Sequence, residues 1–183
     1  MTGDVAAEAG VLLRAAVAGD LPALREIYGW HVCNGAASFE EQVPSPEEFE
    51  RRWRSIEDIG LPYLVACREG APIGYAYAGP YRPRSAYRFS VEDSIYLDPA
   101  ATGRGIGRLL LAAVIDAATR AGKRQMLAVI GDSGNAASIA LHRRLGFTTV
   151  GTFQAVGFKF GRWVDSVLMQ RALGDGATSL PPD

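Results

Sequence analysis

Ile106, Leu109, Leu110, Ala113, Val114 and Ala117 recur at i, i+3, i+4, i+7, i+8 and i+11, the spacing of one face of an α-helix. Gly103, Gly105 and Gly107 mark the start of that helix, and before them an alternating stretch, residues 89–97, is closed by Asp98-Pro99. Proline donates no ladder bond and pushes the residue before it out of the helical region, so the stretch reads as a strand that stops there. A strand, a glycine turn and a long helix in succession point to a layered α/β architecture, in which helices between strands pack on a sheet.

The remaining elements follow from caps and punctuation. Residues 11–16 read as a strand, and Asp20-Leu21-Pro22 supplies a cap and a first-turn proline for a helix reaching about residue 33. A polar loop over 34–44 leads to Ser45-Pro46-Glu47-Glu48, a capping box that predicts a helix to about residue 58 with Gly60 as its stop. Residues 63–68 and 72–78, separated by Glu69-Gly70-Ala71, form a hairpin. Gly122 ends the long helix, residues 125–130 form a short buried strand, and Asn135 caps a helix to about residue 145. Residues 147–158 and 163–171 close as strands, giving the order βααβββαβαββ and a mixed sheet covered on both faces.

With 183 residues against about 150 per domain, the chain is expected to be one domain, over residues 11–173. Residues 1–10 and 174–183 lack periodicity and are expected to be flexible. Lysine and arginine total 19 against 20 acidic residues, a balance that offers no field for nucleic acid or an anionic membrane. The longest aliphatic run, 109–115, stops at Asp116, where a spanning helix needs about 20 apolar residues. No positively charged region opens the chain as in a secretory signal, so the expected location is the cytoplasm. Cys33, Cys67, His31 and His142 are too scattered for a zinc site, and the cysteines are expected to be reduced and buried. His31 and Cys33 stand two apart on a predicted helix and do not face each other, which argues against an acyl-cysteine mechanism.

Glycine at 103, 105 and 107 lets a ligand approach the backbone, and the N–H groups of a helix start form an anion site suited to a pyrophosphate. Arg104 and Arg108 add charge; the competing reading is a tight turn with two solvated arginines. A P-loop is excluded because Gly107 is followed by Arg108 and Leu109 rather than Lys and Ser/Thr. A dinucleotide fingerprint lacks its third glycine at position 108.

Taken together, VEDSIYLDP, GRGIGRLLL and NAASIALHRRLGF resemble the GNAT superfamily of N-acetyltransferases. With YAGPYRPRSAY upstream and GFKFGRWVDSVLMQ downstream, the resemblance narrows to the phosphinothricin and methionine sulfoximine acetyltransferase family and covers residues 12–171. Thr102 departs from the pattern, since the superfamily usually opens the glycine motif with Gln or Arg. The resemblance implies an α/β (α+β) GNAT fold with a mostly antiparallel sheet, acetyl-CoA as cosubstrate, no metal, a small amino-acid-like acceptor and a homodimer. The glycine turn, Gly103, Arg104, Gly105, Ile106, Gly107 and Arg108, would cradle the pyrophosphate.

Acetyl transfer to an amine needs a deprotonated nucleophile, a stabilised oxyanion and a protonated leaving thiolate. Alternation along 89–97 puts Ser90, Glu92, Ser94 and Tyr96 on one face, leaving Asp93 among apolar residues unless a bulge re-aims it. The resemblance makes Glu92 the base; the alternative is a solvated strand carboxylate. Backbone groups of Ile95, Tyr96 and Leu97 are expected to bind the thioester and pantetheine arm, if the strand parts from its neighbour. Asn135 is expected on the coenzyme, as a helix cap, or both. His142 is either a general acid or a packed histidine. By resemblance Phe39 is an apolar wall of the acceptor pocket, and Arg84, with Arg82 second, a clamp for the α-carboxylate; both arginines could equally be solvated. Apolar residues around Phe158, Phe160 and Trp163 are consistent with pairing of two chains, or with core. Acetylation of another amine, on a protein N-terminus or an antibiotic, and a non-catalytic coenzyme A-binding module are the competing functions. The presence of both Glu92 and His142 argues against the last.

Overall fold

The computed structural model describes residues 5–8 and 10–181. Eight strands, β1 (Val5–Glu8), β2 (Val11–Ala15), β3 (Tyr63–Arg68), β4 (Ala71–Pro80), β5 (Ser90–Leu97), β6 (Gln125–Gly131), β7 (Thr148–Lys159) and β8 (Arg162–Ala172), form one sheet in the order β1-β2-β3-β4-β5-β6-β8-β7. Every neighbouring pair is antiparallel except β5–β6. The mixed, mostly antiparallel sheet expected from the sequence is therefore present, with one more edge strand, β1, than the periodicity predicts.

Four helices cover it: α1 (Leu21–Asn34), α2 (Pro46–Glu57), α3 (Ile106–Arg120) and α4 (Ala136–Arg144). Tyr96 of β5 meets Tyr28 of α1 with ring centroids 4.9 Å apart. Its neighbours Ile95 and Leu97 lie under Gly107 of α3 and Leu141 of α4. Adjacent strand residues point to opposite faces, so α1 and α2 cover one face and α3 and α4 the other. Between them the core is built on Val65, Ala76, Val91, Leu110, Val114, Met126 and Met169, all fully buried.

Of the capping box only the serine half is seen, because the Glu48 carboxylate turns to Arg51 and Arg52. Ser45 Oγ accepts from the Glu48 N–H at 3.2 Å, Pro46 opens α2, and Phe49, Trp53 and Ile56 are buried at i, i+4 and i+7. Glu69 and Gly70 have φ of 51° and 83°, so a two-residue turn joins β3 to β4 and β4 starts at Ala71, one residue earlier than the spacing suggests. In α3 the buried stripe is Ile106, Leu110, Leu111, Val114, Ile115 and Ala118, rotated from the predicted face. Three consecutive leucines make the apolar arc wide, and the sheet takes its Leu110–Leu111 side. Cys67 is buried as expected but Cys33 is exposed, because it follows the inward-facing Val32 on the outer side of α1. Among the described residues no helix is long and apolar enough to cross a membrane.

Candidate active site

The site exists because β5 and β6 pair only part of the way. Their parallel register runs from Ser90↔Gln125 to Asp93↔Ala128 and stops, while β5 continues against β4 to Leu97 and β6 against β8 to Gly131. The Asp98 N–H donates to Ile73 C=O at 3.0 Å and the Tyr81 N–H to Ser90 C=O at 3.4 Å. By the alternation of an antiparallel ladder, even-numbered residues of β5 bond to β4 and odd-numbered ones turn their backbone groups to the other side. Ile95 and Leu97 thus present N–H and C=O groups to the gap, and Tyr96 presents its backbone to β4. His31 on α1 donates its Nε2–H to the Leu97 carbonyl at 2.8 Å, which fixes one of these groups. Burial pulls the His31 pKa down, against the effect of that bond.

On the α3/α4 side, a groove of about 880 Å³ runs past Gly103, Gly105, Gly107, Arg108 and Asn135 to Ile95 and Leu97. Gly103 and Gly105 have φ of 74° and 79°, a region L side chains rarely adopt, and a Cβ on either would meet nothing within 4 Å. The turn is therefore shaped by backbone conformation and opens onto free space. Helix geometry leaves the first N–H groups of α3, at Ile106 and Gly107, without intrahelical acceptors. Ile106 itself is core, 1% exposed, and Arg104 projects from the turn without lining the groove. Asn135 caps α4, Oδ1 accepting from the Ser138 N–H at 3.2 Å, and also lines the groove. Trp30 and Arg144 line it too, although no local motif marks either in the sequence.

A second cavity, of about 380 Å³, opens through the gap and shares Ala37, Ile95, Gly131, Asn135 and Ser138 with the groove. Glu92, Asp93, His142, Tyr77 and Phe39 face it. Burial pushes the Glu92 carboxyl above the usual range, the adjacent Asp93 adds to the rise, and the charge of Arg82 opposes it. The β4–β5 register runs unbroken from Gly74↔Leu97 to Pro80↔Val91, so no bulge re-aims Asp93. It stays on the apolar face and meets α4: Asp93 Oδ2 accepts from His142 Nε2–H at 2.9 Å, and His142 Nδ1–H donates to the Ser138 carbonyl at 2.8 Å. Both ring nitrogens face acceptors, an arrangement that favours the doubly protonated imidazole. Burial alone would lower its pKa; the Asp93 bond and charge outweigh that and raise it. Among the described residues, the buried Asp93 Oδ1 has no hydrogen-bond partner.

Phe39 is half-exposed, with its ring over Gly131 and Gly157, where a Cβ would stand 3.0 and 2.5 Å from it. Arg82 and Arg84 are both exposed and neither lines the cavity; the Arg82 guanidinium sits 5.1 Å over the Tyr81 ring. The guanidinium in the cavity wall belongs to Arg52 of α2, held at 2.6 Å by Glu40 and at 2.7 Å by Glu48. The capping box places Arg52 at i+4 from Glu48, but the loop partner Glu40 has no sequence signal. The two cavities bring a carboxylate with raised proton affinity beside strand N–H groups that can bind a carbonyl.

The chain matches the Acetyltransferase (GNAT) family over residues 25–147. It is 54% identical over 162 residues to a phosphinothricin N-acetyltransferase of Alcaligenes faecalis, covering 88% of this chain and 82% of that one. It is 40% identical over 165 residues to an L-methionine sulfoximine/L-methionine sulfone acetyltransferase of Salmonella typhimurium, covering 90% and 96%. A crystal structure of a GNAT superfamily phosphinothricin acetyltransferase from Sinorhizobium meliloti, in complex with AcCoA, superposes with a TM-score of 0.92 at 51% identity, covering 95% and 94%.

Proposed function

Because the chain belongs to the GNAT acetyltransferase family, in the branch of the phosphinothricin and methionine sulfoximine acetyltransferases, we propose that it moves the acetyl group of acetyl-CoA directly onto the α-amine of a small amino-acid-like acceptor. The observation that carries this reading is the meeting of the two cavities at the β5–β6 gap, with Glu92 on one side of it and the glycine turn at the far end of the other. Acetyl-CoA fits the larger groove: the Gly103–Arg108 turn has open space above its backbone for the pyrophosphate, and the N–H groups at Ile106 and Gly107 point as an anion site requires. The pantetheine arm then follows β5, where Ile95 turns its backbone groups to the gap and the Leu97 carbonyl is held by His31, with Asn135 beside them.

Glu92, with its raised pKa, takes a proton from the acceptor ammonium, directly or through a water. The freed amine attacks the thioester carbonyl, whose developing oxyanion is met by a β5 N–H. The tetrahedral adduct expels the thiolate, which takes the proton still carried by the attacking nitrogen, while His142, its two ring nitrogens held by Asp93 and Ser138, acts on the thiolate through its charge in the chamber wall. Both arginines lie outside the cavity wall, so a carboxylate clamp requires one of them to swing in; Arg82, whose charge acts on Glu92, replaces Arg84 as the first choice. Phe39 walls the acceptor side.

Residues 11–173 act as one N-acetyltransferase domain, working in the cytoplasm, where the exposed free thiol of Cys33 stays reduced. The half-exposed apolar residues Val156, Phe158, Phe160 and Trp163 at the β7–β8 edge support a homodimer through that edge. The test of the acceptor is release of free thiol from acetyl-CoA in the presence of phosphinothricin, methionine sulfoximine or methionine sulfone. All three are expected to drive it and their decarboxylated amines are not, while Arg82→Ala raises the acceptor KM and spares that for acetyl-CoA. Equal turnover of simple alkyl amines contradicts the clamp.

A further inference from the structure

Lys159, at the end of β7, is 2% exposed, and its Nζ donates to two carbonyl oxygens, those of Gly35 at 2.8 Å and Ser38 at 2.7 Å. Its head group also stands 4.9 Å over the Phe160 ring. A buried amine is tolerated only where hydrogen bonds replace its water, so the two carbonyls are what keep this side chain inside. The strand is shaped to deliver it. Its register with β8 shifts between Phe153 and Gly157, Ala155 takes a φ of 51°, and the Ala155 N–H donates to Asp165 Oδ1 at 2.9 Å. Past that bulge Gly157 lies under Phe39 and Lys159 reaches the loop after α1.

That loop is the partition between the two cavities. Gly35 and Ala36 line the groove, Ala37 lines both cavities, and Ser38 and Phe39 line the smaller one. Ser38 is anchored again through Oγ to Tyr28 Oη at 2.8 Å. Phe39 has no polar atom to hold it, so its position depends on the backbone on either side and on the absence of a Cβ at Gly157.

We propose that Lys159 is a positioning residue for acceptor recognition: by tying down the carbonyls of Gly35 and Ser38 it sets Phe39 as a wall and so limits the side chain an acceptor can bring. This rests on the smaller cavity being the acceptor site. Lys159→Met keeps the apolar stem and removes the donors. In the full-length enzyme it should raise the KM for methionine sulfone by roughly tenfold to a hundredfold, with a smaller change in kcat. Acetyl-CoA affinity by calorimetry should fall by less than the acceptor KM rises, since the variant frees Gly35 at the groove wall but leaves the Gly103–Arg108 turn untouched. The preference among amino acids of different side-chain size should flatten, and amide hydrogen exchange should quicken in peptides spanning 34–44.

Unchanged acceptor KM and size preference overturn the proposal, as does a loss of acetyl-CoA affinity in the same proportion. If Lys159→Met does not fold, Gly157→Ala displaces Phe39 with Lys159 intact and should flatten the same preference; an unaltered preference then overturns it. Wild-type enzyme that releases no thiol with any amino acid defeats the acceptor reading, and unchanged exchange over 34–44 in the variant defeats the tie itself.

Discussion

Asp93 and His142, 49 residues apart in sequence, face each other across β5 and α4 at 2.9 Å, both almost completely buried. Removing one member of such a pair leaves an uncompensated charge, so Asp93→Asn should cost about 3–5 kcal/mol of unfolding free energy near neutral pH. The folded pKa of His142 is raised above its ordinary 6.5. A raised histidine contributes stability that is fully present below the unfolded pKa and is lost as pH rises through the folded value. Urea unfolding of wild type and Asp93→Asn from pH 6 upward should therefore show a gap that narrows with pH. A gap that is constant or widens is inconsistent with an imidazolium at this position.

Gly105 combines a φ of 79° with open space where a side chain would go. Gly105→Val should leave the core packing intact, strain the turn by about 1–2 kcal/mol, and project two methyl groups into the groove. Acetyl-CoA binding by calorimetry should weaken by about tenfold or more, equivalent to about 1.4 kcal/mol. Undiminished affinity in a folded variant would remove the glycine turn from the coenzyme site.

The β7–β8 edge carries Phe158 and Trp163 with ring centroids 5.2 Å apart and 57% and 66% exposed. A charge placed in a self-complementary apolar face is repeated by symmetry, so Trp163→Glu should convert a dimer into a monomer in sedimentation equilibrium. A wild-type protein that sediments as a monomer at high concentration contradicts the proposed pairing.

Local chemistry made much of this legible. Ser45, Pro46 and Glu48 mark the start of α2, and Gly103 to Gly107 the turn before α3, because caps and turns are read within a few residues. What stayed hidden depends on distant partners. The parting of β5 from β6 follows from how far each is held by its other neighbour, which no single strand records. Arg52 reaches the chamber from a helix of which the sequence marks only the start, and Lys159 reaches the loop behind the chamber from a strand end with three exposed aromatics nearby. Alternation correctly isolated Asp93 among apolar residues, yet only the fold supplies His142 as the reason it is there.

The central claim, that a half-buried carboxylate in the smaller cavity accepts the amine proton, is tested most directly by thiol release in wild type and Glu92→Gln as a function of pH. Gln keeps the shape and removes the proton affinity, so turnover with methionine sulfone should fall by roughly 10²–10⁴ at neutral pH. The deficit should shrink at high pH, where the amine is already neutral, and the acid limb of the wild-type kcat/KM profile should lie above the ordinary glutamate value of 4.5. A defect that is the same at every pH, or no defect, would contradict the account.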